Sequence, residues 1–167
     1  MSIRILLTGG TIDKFYSVEE GELTFGESHI DEMLDRANVT ANVVVEELML
    51  KDSLEIDTVE REQILEACEE CDEDRVLITH GTDTMVETAR LLGEAALDKS
   101  IVLVGAMIPY SVRDSDAFFN LGFALSAVQF APPGVYIAMN GELFDWDNVS
   151  KNYDEGRFER LESEAAN

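Results

Sequence analysis

Two short stretches could bring hydroxyl and carboxylate chemistry to one place: Thr8-Gly9-Gly10-Thr11 and His80-Gly81-Thr82-Asp83-Thr84. Each follows an apolar run of strand length, so each delivers a threonine to the carboxyl edge of a sheet. Ligands of open α/β sheets bind in the crevice beyond that edge. Gly9-Gly10 lets the backbone turn sharply and approach a ligand with no Cβ in the way. Thr11 then adds a hydroxyl beside amides of the Gly9 to Thr11 loop that could stabilise an oxyanion. Taken alone, the diglycine also reads as a tight strand exit, because it has neither the Gly-x-Gly-x-x-Gly spacing of dinucleotide folds nor the Gly-Lys-Ser/Thr of a P-loop. In the second stretch, Thr84 with Glu87 reads as a capping box that opens a helix. Thr82 and Asp83 are then free to face the crevice. The alternative has all three residues capping the helix, a common arrangement worth ~1 kcal/mol. His80 reads as a hydrogen-bonded residue at a strand end.

The elements that must position these residues are legible as alternating patterns. Near-continuous Ile/Val/Leu runs predict strands over residues 3–8, 41–48, 75–79, 101–105 and 135–139. Between them, residues 57–71 read as a helix with Val59, Ile64, Leu65 and Cys68 on one face and acids opposite. The helix opened by Thr84 carries Ala89, Leu92 and Ala96. Residues 116–130 form a third, strongly apolar helix with Phe119, Phe123 and Val128 as core candidates. This alternation predicts an α/β fold: a doubly wound, mostly parallel sheet of Rossmann or flavodoxin type in a three-layer α/β/α sandwich. Residues 1–160 read as one domain and residues 161–167 as an acidic tail that frays.

Composition narrows the partners. Twelve Lys plus Arg against 35 Asp plus Glu leave a net charge of −23, which excludes nucleic acid and anionic membrane, since both require a basic footprint. No apolar run approaches the ~20 residues of a membrane span, and the first strand is too short for a signal-peptide core. A soluble, cytoplasmic protein is expected. Cys68 and Cys71 form Cys-Glu-Glu-Cys late in a predicted helix. With no second cysteine pair, and only His29 and His80 besides, they read as helix-face thiols in a reducing compartment and not as a zinc or redox centre. The only lysines are Lys14, Lys51, Lys99 and Lys151.

In order and spacing, the chain resembles the bacterial-type L-asparaginase family. Thr8-Gly9-Gly10-Thr11-Ile12 is similar to the first signature of that family, and the run from His80 to Ala89 to the second. Gly105-Ala106-Met107, Pro109, Asp116 with Phe119-Asn120-Leu121, Met139-Asn140 and Val149-Ser150-Lys151 continue the match. The resemblance implies that Thr11 is a nucleophile, that Thr82, Asp83 and Lys151 form a second threonine cluster, and that Ser53 holds the substrate α-carboxylate. It places a catalytic tyrosine at Tyr16 on a mobile lid, and substrate contacts at Gly10, Gly81, Asp83 and Ala106. Chemically, a lysine beside Thr82 in a partly dry site could accept a proton, while Asp83 binds an α-ammonium and orients that lysine. From the residues alone, Lys151 reads as a solvated lysine, Ser53 as a turn residue and Tyr16 as an anchoring tyrosine.

The family's typical members carry a second, C-terminal domain that donates a carboxylate across a dimer interface, and this chain resembles the first domain only. Asp13 stands where the family has a small residue, and Leu54 where a polar side chain often helps hold the ligand. The implied activity is hydrolysis of L-asparagine or a related amide to the acid and ammonia, with no metal and no organic cofactor, in a homodimer or homotetramer. The alternative is a non-catalytic amino-acid-binding or interaction domain. A flavin or nucleotide site ranks third.

Acid-rich, lysine-poor surfaces suit high salt, where screening shortens the reach of repulsion. A salt-adapted protein is therefore predicted to melt at higher temperature in molar than in low salt, and a flat melting temperature across that range would refute the adaptation.

Overall fold

The computed structural model describes residues 2–161, so the expected tail lies, Leu161 apart, outside the described residues. The elements run β1 (Ser2–Gly9), β2 (Lys14–Ser17), β3 (Glu22–Phe25), α1 (Ile30–Arg36), β4 (Asn42–Lys51), α2 (Thr58–Glu70), β5 (Arg75–Thr79), α3 (Met85–Ala95), β6 (Ser100–Val104), α4 (Ala117–Phe130), β7 (Gly134–Met139), β8 (Glu142–Asp145), β9 (Ser150–Asn152) and β10 (Arg157–Glu159). The central sheet has the order β4-β1-β5-β6-β7-β8, parallel except for β8. Counting only its parallel strands, the order is 2-1-3-4-5, the flavodoxin-like arrangement, whose topological switch point lies between β1 and β5.

Alternation along each strand sends side chains to two cores. Ile5, Leu7, Leu77, Val102, Val104 and Ala138 pack beneath α1 and α4. Leu6, Val76, Ile78, Leu103, Ile137 and Met139 face α2 and α3. Every residue of β6 is buried, as expected of a central strand covered on both faces. Both thiols are free, and Cys68 is fully buried, with burial pushing its thiol up to about 12. Among the described residues, no helix is long and apolar enough to cross a membrane.

Several local expectations are corrected. The capping box belongs to Asp57 and Glu60 at the start of α2, not to Thr84 and Glu87. Thr84 makes no side-chain cap; its hydroxyl donates to the buried Ser53 carbonyl at 2.8 Å, and Glu87 pairs with Arg61 at 3.3 Å. Val59 and Phe119 are 60% and 63% exposed, because α2 and α4 turn narrower stripes inward, led by Ile64 with Cys68 and Leu121 with Ala124. Helix α1, the hairpins β2–β3 and β9–β10, and antiparallel β8 went unread. The turn into β8 carried a usable signal: Asn140-Gly141, with φ 56° and 74°, is the type I′ hairpin pair.

At the switch point, β1 and β5 end side by side. A Cβ on Gly10 (φ 83°) would lie 2.4 Å from Gly81 N and 2.5 Å from Gly81 Cα. Beyond this contact, His80 locks the second motif onto α3. Its N–H donates to Val104 O, its Nδ1 donates to Gly81 O at 2.7 Å, and its Nε2 accepts from Thr88 Oγ1 at 2.8 Å. Arg61 Nε donates in turn to Thr88 Oγ1. All of these hydrogen bonds suit a neutral imidazole, and burial pushes His80 down to about 4.

Two predictions follow from these contacts. Gly10→Ala should destabilise by about 2 kcal/mol or more, whereas Gly122→Ala, on the open face of α4, should stabilise by about 0.5–1 kcal/mol; urea melts decide both. Because His80 resists protonation when folded but not when unfolded, its contribution is present above pH ~6.5 and lost as pH falls toward 4. Stability should therefore fall more steeply across that window in the wild type than in His80→Gln.

Candidate active site

The β1 and β5 turns bring the two threonine motifs together over the switch point, and the loops after β4 and β6 extend the edge. The Thr11–Asp13 turn is a single 3-10 helix entered from Gly10. Residues 53–55 form another, with Asp52 Oδ1 accepting from Leu54 N at 3.1 Å. The loop after β6 holds Ala106, and Asp116 pins that loop by accepting from Met107 N and Ile108 N at 2.9–3.1 Å. Asn120 Nδ2 supports it further, donating to Gly105 O at 3.0 Å.

The tightest cluster is formed by Thr82, Asp83 and Lys151. Lys151 Nζ donates to Thr82 Oγ1 at 2.8 Å and to Asp83 Oδ1 at 2.6 Å. Its side chain is 11% exposed, so this ion pair is partly desolvated and stronger than a surface pair. The short strand β9 aims it there, because Lys151 pairs with Phe158 of β10, which is buried beneath. The surface-lysine reading of Lys151 is thereby set aside. Thr82 is 7% exposed, and its hydroxyl proton points to Met107 Sδ at 3.8 Å, a weak acceptor.

The other expected residues occupy the same edge in different states. Thr11 is half-buried on the first turn. Gly10 N–H donates to Lys51 O at 2.9 Å, so, contrary to expectation, that amide is not free for an oxyanion. Ser53 is 1% exposed; its Oγ accepts from Thr84 N at 3.3 Å and lies where a Gly81 side chain would begin. Gly81 must therefore stay bare for the Ser53 and Thr82 loops to touch. Ala106 is buried in the core. Tyr16 projects from β2 with 58% exposure, opposite Leu23 of β3, and is no anchor.

Two contributors, Lys14 and Tyr153, were not read from the sequence, and a third, Asp13, was read only as a departure from the family. Lys14 Nζ bonds Asp52 Oδ2 at 2.6 Å, and this contact holds the Asp52 carboxyl below its usual range. Tyr153 places its ring 4.8 Å from Lys151 Nζ and donates to Asp83 O at 3.2 Å. It opens the turn after β9, beyond the reach of any strand period. Asp13 is wholly buried, and burial raises its carboxyl above the usual range. Three of the four lysines, Lys14, Lys51 and Lys151, thus sit on acids at this one edge. No group of three or more His, Cys, Asp or Glu among the described residues is arranged to hold a metal ion.

A family model described as "Asparaginase, N-terminal" matches residues 2–164. L-asparaginase 2 of Escherichia coli is 34% identical over 160 residues, which cover 90% of this chain and 46% of the relative. A glutaminase-asparaginase of Pseudomonas fluorescens is 30% identical over 166 residues, with 90% and 45% covered. The solved thermostable L-asparaginase from Thermococcus kodakarensis superposes with a TM-score of 0.85 at 29% identity, over 98% of this chain and 52% of that one. The chain thus spans about half the length of the relatives it matches. With its fold, both threonine motifs and nearly its whole length accounted for, the chain belongs to the family of asparaginase N-terminal domains.

Proposed function

We propose that this chain hydrolyses the side-chain amide of L-asparagine, or of a close relative, with Thr11 as nucleophile. The observation that carries this reading is the Lys151–Thr82–Asp83 cluster, held at the edge where Gly10 packs on Gly81. A solvated structural lysine has no need of a buried threonine and a carboxylate at hydrogen-bond distance. The names of the relatives, L-asparaginase and glutaminase-asparaginase, point to amide substrates of this class.

In this reading Thr11 Oγ adds to the amide carbon, and the Thr11 N–H meets the developing oxyanion, since the Gly10 amide is already engaged. Thr82 and Lys151 carry the proton toward the departing ammonia, and Asp83 keeps Lys151 in place. Only one Asp83 oxygen contacts Lys151, and the carboxylate is 36% exposed, which leaves the group open to a substrate ammonium. Ser53 donates to the α-carboxylate, and the Lys14 and Lys151 charges offset the repulsion of an anionic ligand by a chain of net charge −23. Tyr16 completes the site from the β2–β3 hairpin, Ala106 lines it, and water finishes turnover. Asparagine and glutamine differ by one methylene, worth only about 1–3 kcal/mol of discrimination. We propose a twofold homo-oligomer in the cytoplasm, with a neighbouring copy covering the open edge.

Ammonia release from L-asparagine and L-glutamine by the purified chain tests this reading. Thr11→Ala should lose at least about a thousandfold in kcat, and Lys151→Met about a hundredfold. Thr11→Ala should still melt higher with L-aspartate present. Stabilisation of the wild type by L-aspartate with no ammonia released would instead favour the non-catalytic binding domain.

A further inference from the structure

Hairpin β2–β3 forms a two-stranded sheet of its own, with no strand pairing to the central sheet. Its tip, residues 18–23, is exposed throughout. Beneath its foot lies an open cavity of about 770 Å³, lined in part by Phe15, Gly26, Ser28, His29 and Glu47. Apolar packing therefore does not fix where this hairpin points. Polar ties at its foot must do so.

Asp13 makes the central tie. It is a carboxylate with 0% exposure, and a charge-bearing group is costly to bury unless its hydrogen bonds repay it. Its Oδ1 accepts from Ser28 Oγ at 2.8 Å and from His29 N at 2.9 Å, both just beyond the far end of the hairpin. Its own N–H donates to Gly10 O at 3.1 Å and closes the turn that displays Thr11. One residue thus joins both feet of the hairpin to the Thr11 turn. The next residue, Lys14, adds ties to Asp52 and, through its carbonyl, to Ser111 Oγ at 2.9 Å. Asp13 Oδ2 has no partner, so the carboxyl works through a single oxygen.

We propose that Asp13 is a positioning residue that clamps the β2–β3 hairpin, and with it Tyr16, against the Thr11 turn. The catalytic half of this claim rests on the proposed amide hydrolysis; the structural half does not. A small residue at this position leaves Ser28 Oγ and His29 N without their acceptor, and the hairpin free to swing over its cavity. Asparagine offers the same single acceptor oxygen, so Asp13→Asn should preserve the clamp where Asp13→Ala breaks it.

Hydrogen exchange of the whole chain, read by mass spectrometry, tests the clamp alongside the kinetics of L-asparagine hydrolysis. Asp13→Ala should speed exchange over residues 14–25 about tenfold, the scale of a lost charge-assisted hydrogen bond, with β5 and β6 unchanged. Ser28→Ala, a milder change that removes one of the two donors, should act in the same direction. Asp13→Asn should restore wild-type exchange. In turnover, Asp13→Ala should lower kcat about tenfold while moving KM less than about twofold, and Asp13→Asn should recover kcat. Unchanged hairpin exchange in both Asp13→Ala and Ser28→Ala would overturn the clamp. Faster exchange spread over the whole sheet would overturn it too, by showing a merely structural carboxylate. Faster hairpin exchange with unaltered kcat would overturn the positioning role. If the wild type releases no ammonia, the catalytic reading fails by itself, and the exchange results still decide the clamp.

Discussion

The contact between Gly10 and Gly81 is the constraint on which the rest of the site depends. Two parallel strands are spaced by their hydrogen bonds at ~4.8 Å, and the turns leaving β1 and β5 must diverge within that width. Here they touch, backbone on backbone, because Gly10 carries no Cβ. The same economy recurs one layer out, where bare Gly81 lets Ser53 pack against it and Ser53 accepts from Thr84 N. Loops after three strands thereby share one rigid floor. Thr11 and Thr82 flank it, and Lys151 reaches it from β9, more than sixty residues away in sequence from either motif. This floor lies at the switch point, where open α/β sheets bind their ligands.

Charge is distributed against the grain of the composition. Across a chain with 35 acids and 12 bases, three of the four lysines gather at the carboxyl edge of the sheet, each on an acidic partner. Charge at that edge is thereby balanced pair by pair, unlike the acid excess of the chain as a whole. The buried polar groups are arranged differently. His80 is kept neutral inside a chain of hydrogen bonds running from Arg61 through Thr88 to Gly81 O, which costs stability only in acid. Asp13 has no such full satisfaction, and its single working oxygen, beside the Lys14 ties to Asp52 and Ser111, holds a hairpin that stands over an open cavity.

The parallel core was legible because strands buried on both faces are written as unbroken aliphatic runs, and the ends of β5 and β7 were read to within a residue. The two threonine motifs were legible for a related reason: glycines at strand exits announce close backbone approach. What escaped was short and polar. Strands β2, β3, β9 and β10 have three or four residues each, too few to show a period, and α1 has only seven. Thr84 was misread because local capping rules are blind to a carbonyl thirty residues upstream that needs a donor. Phe119 and Val59 were misread because apolar residues on a helix do not say which stripe is narrowest. The Lys14–Asp52 pair joins residues 38 apart, and nothing in either neighbourhood announces the other.

The central claim is that loops after separate strands make one amino-acid site at the switch point, within the length of this chain. Backbone amide NMR with L-aspartate titrated into the wild-type protein tests it most directly. Shifts confined to the segments around Thr11, Ser53, Thr82 and Asp83, Ala106 and Lys151 are the predicted result. Saturable shifts clustered at the opposite end of the sheet, or none at millimolar ligand in a folded protein, would contradict it.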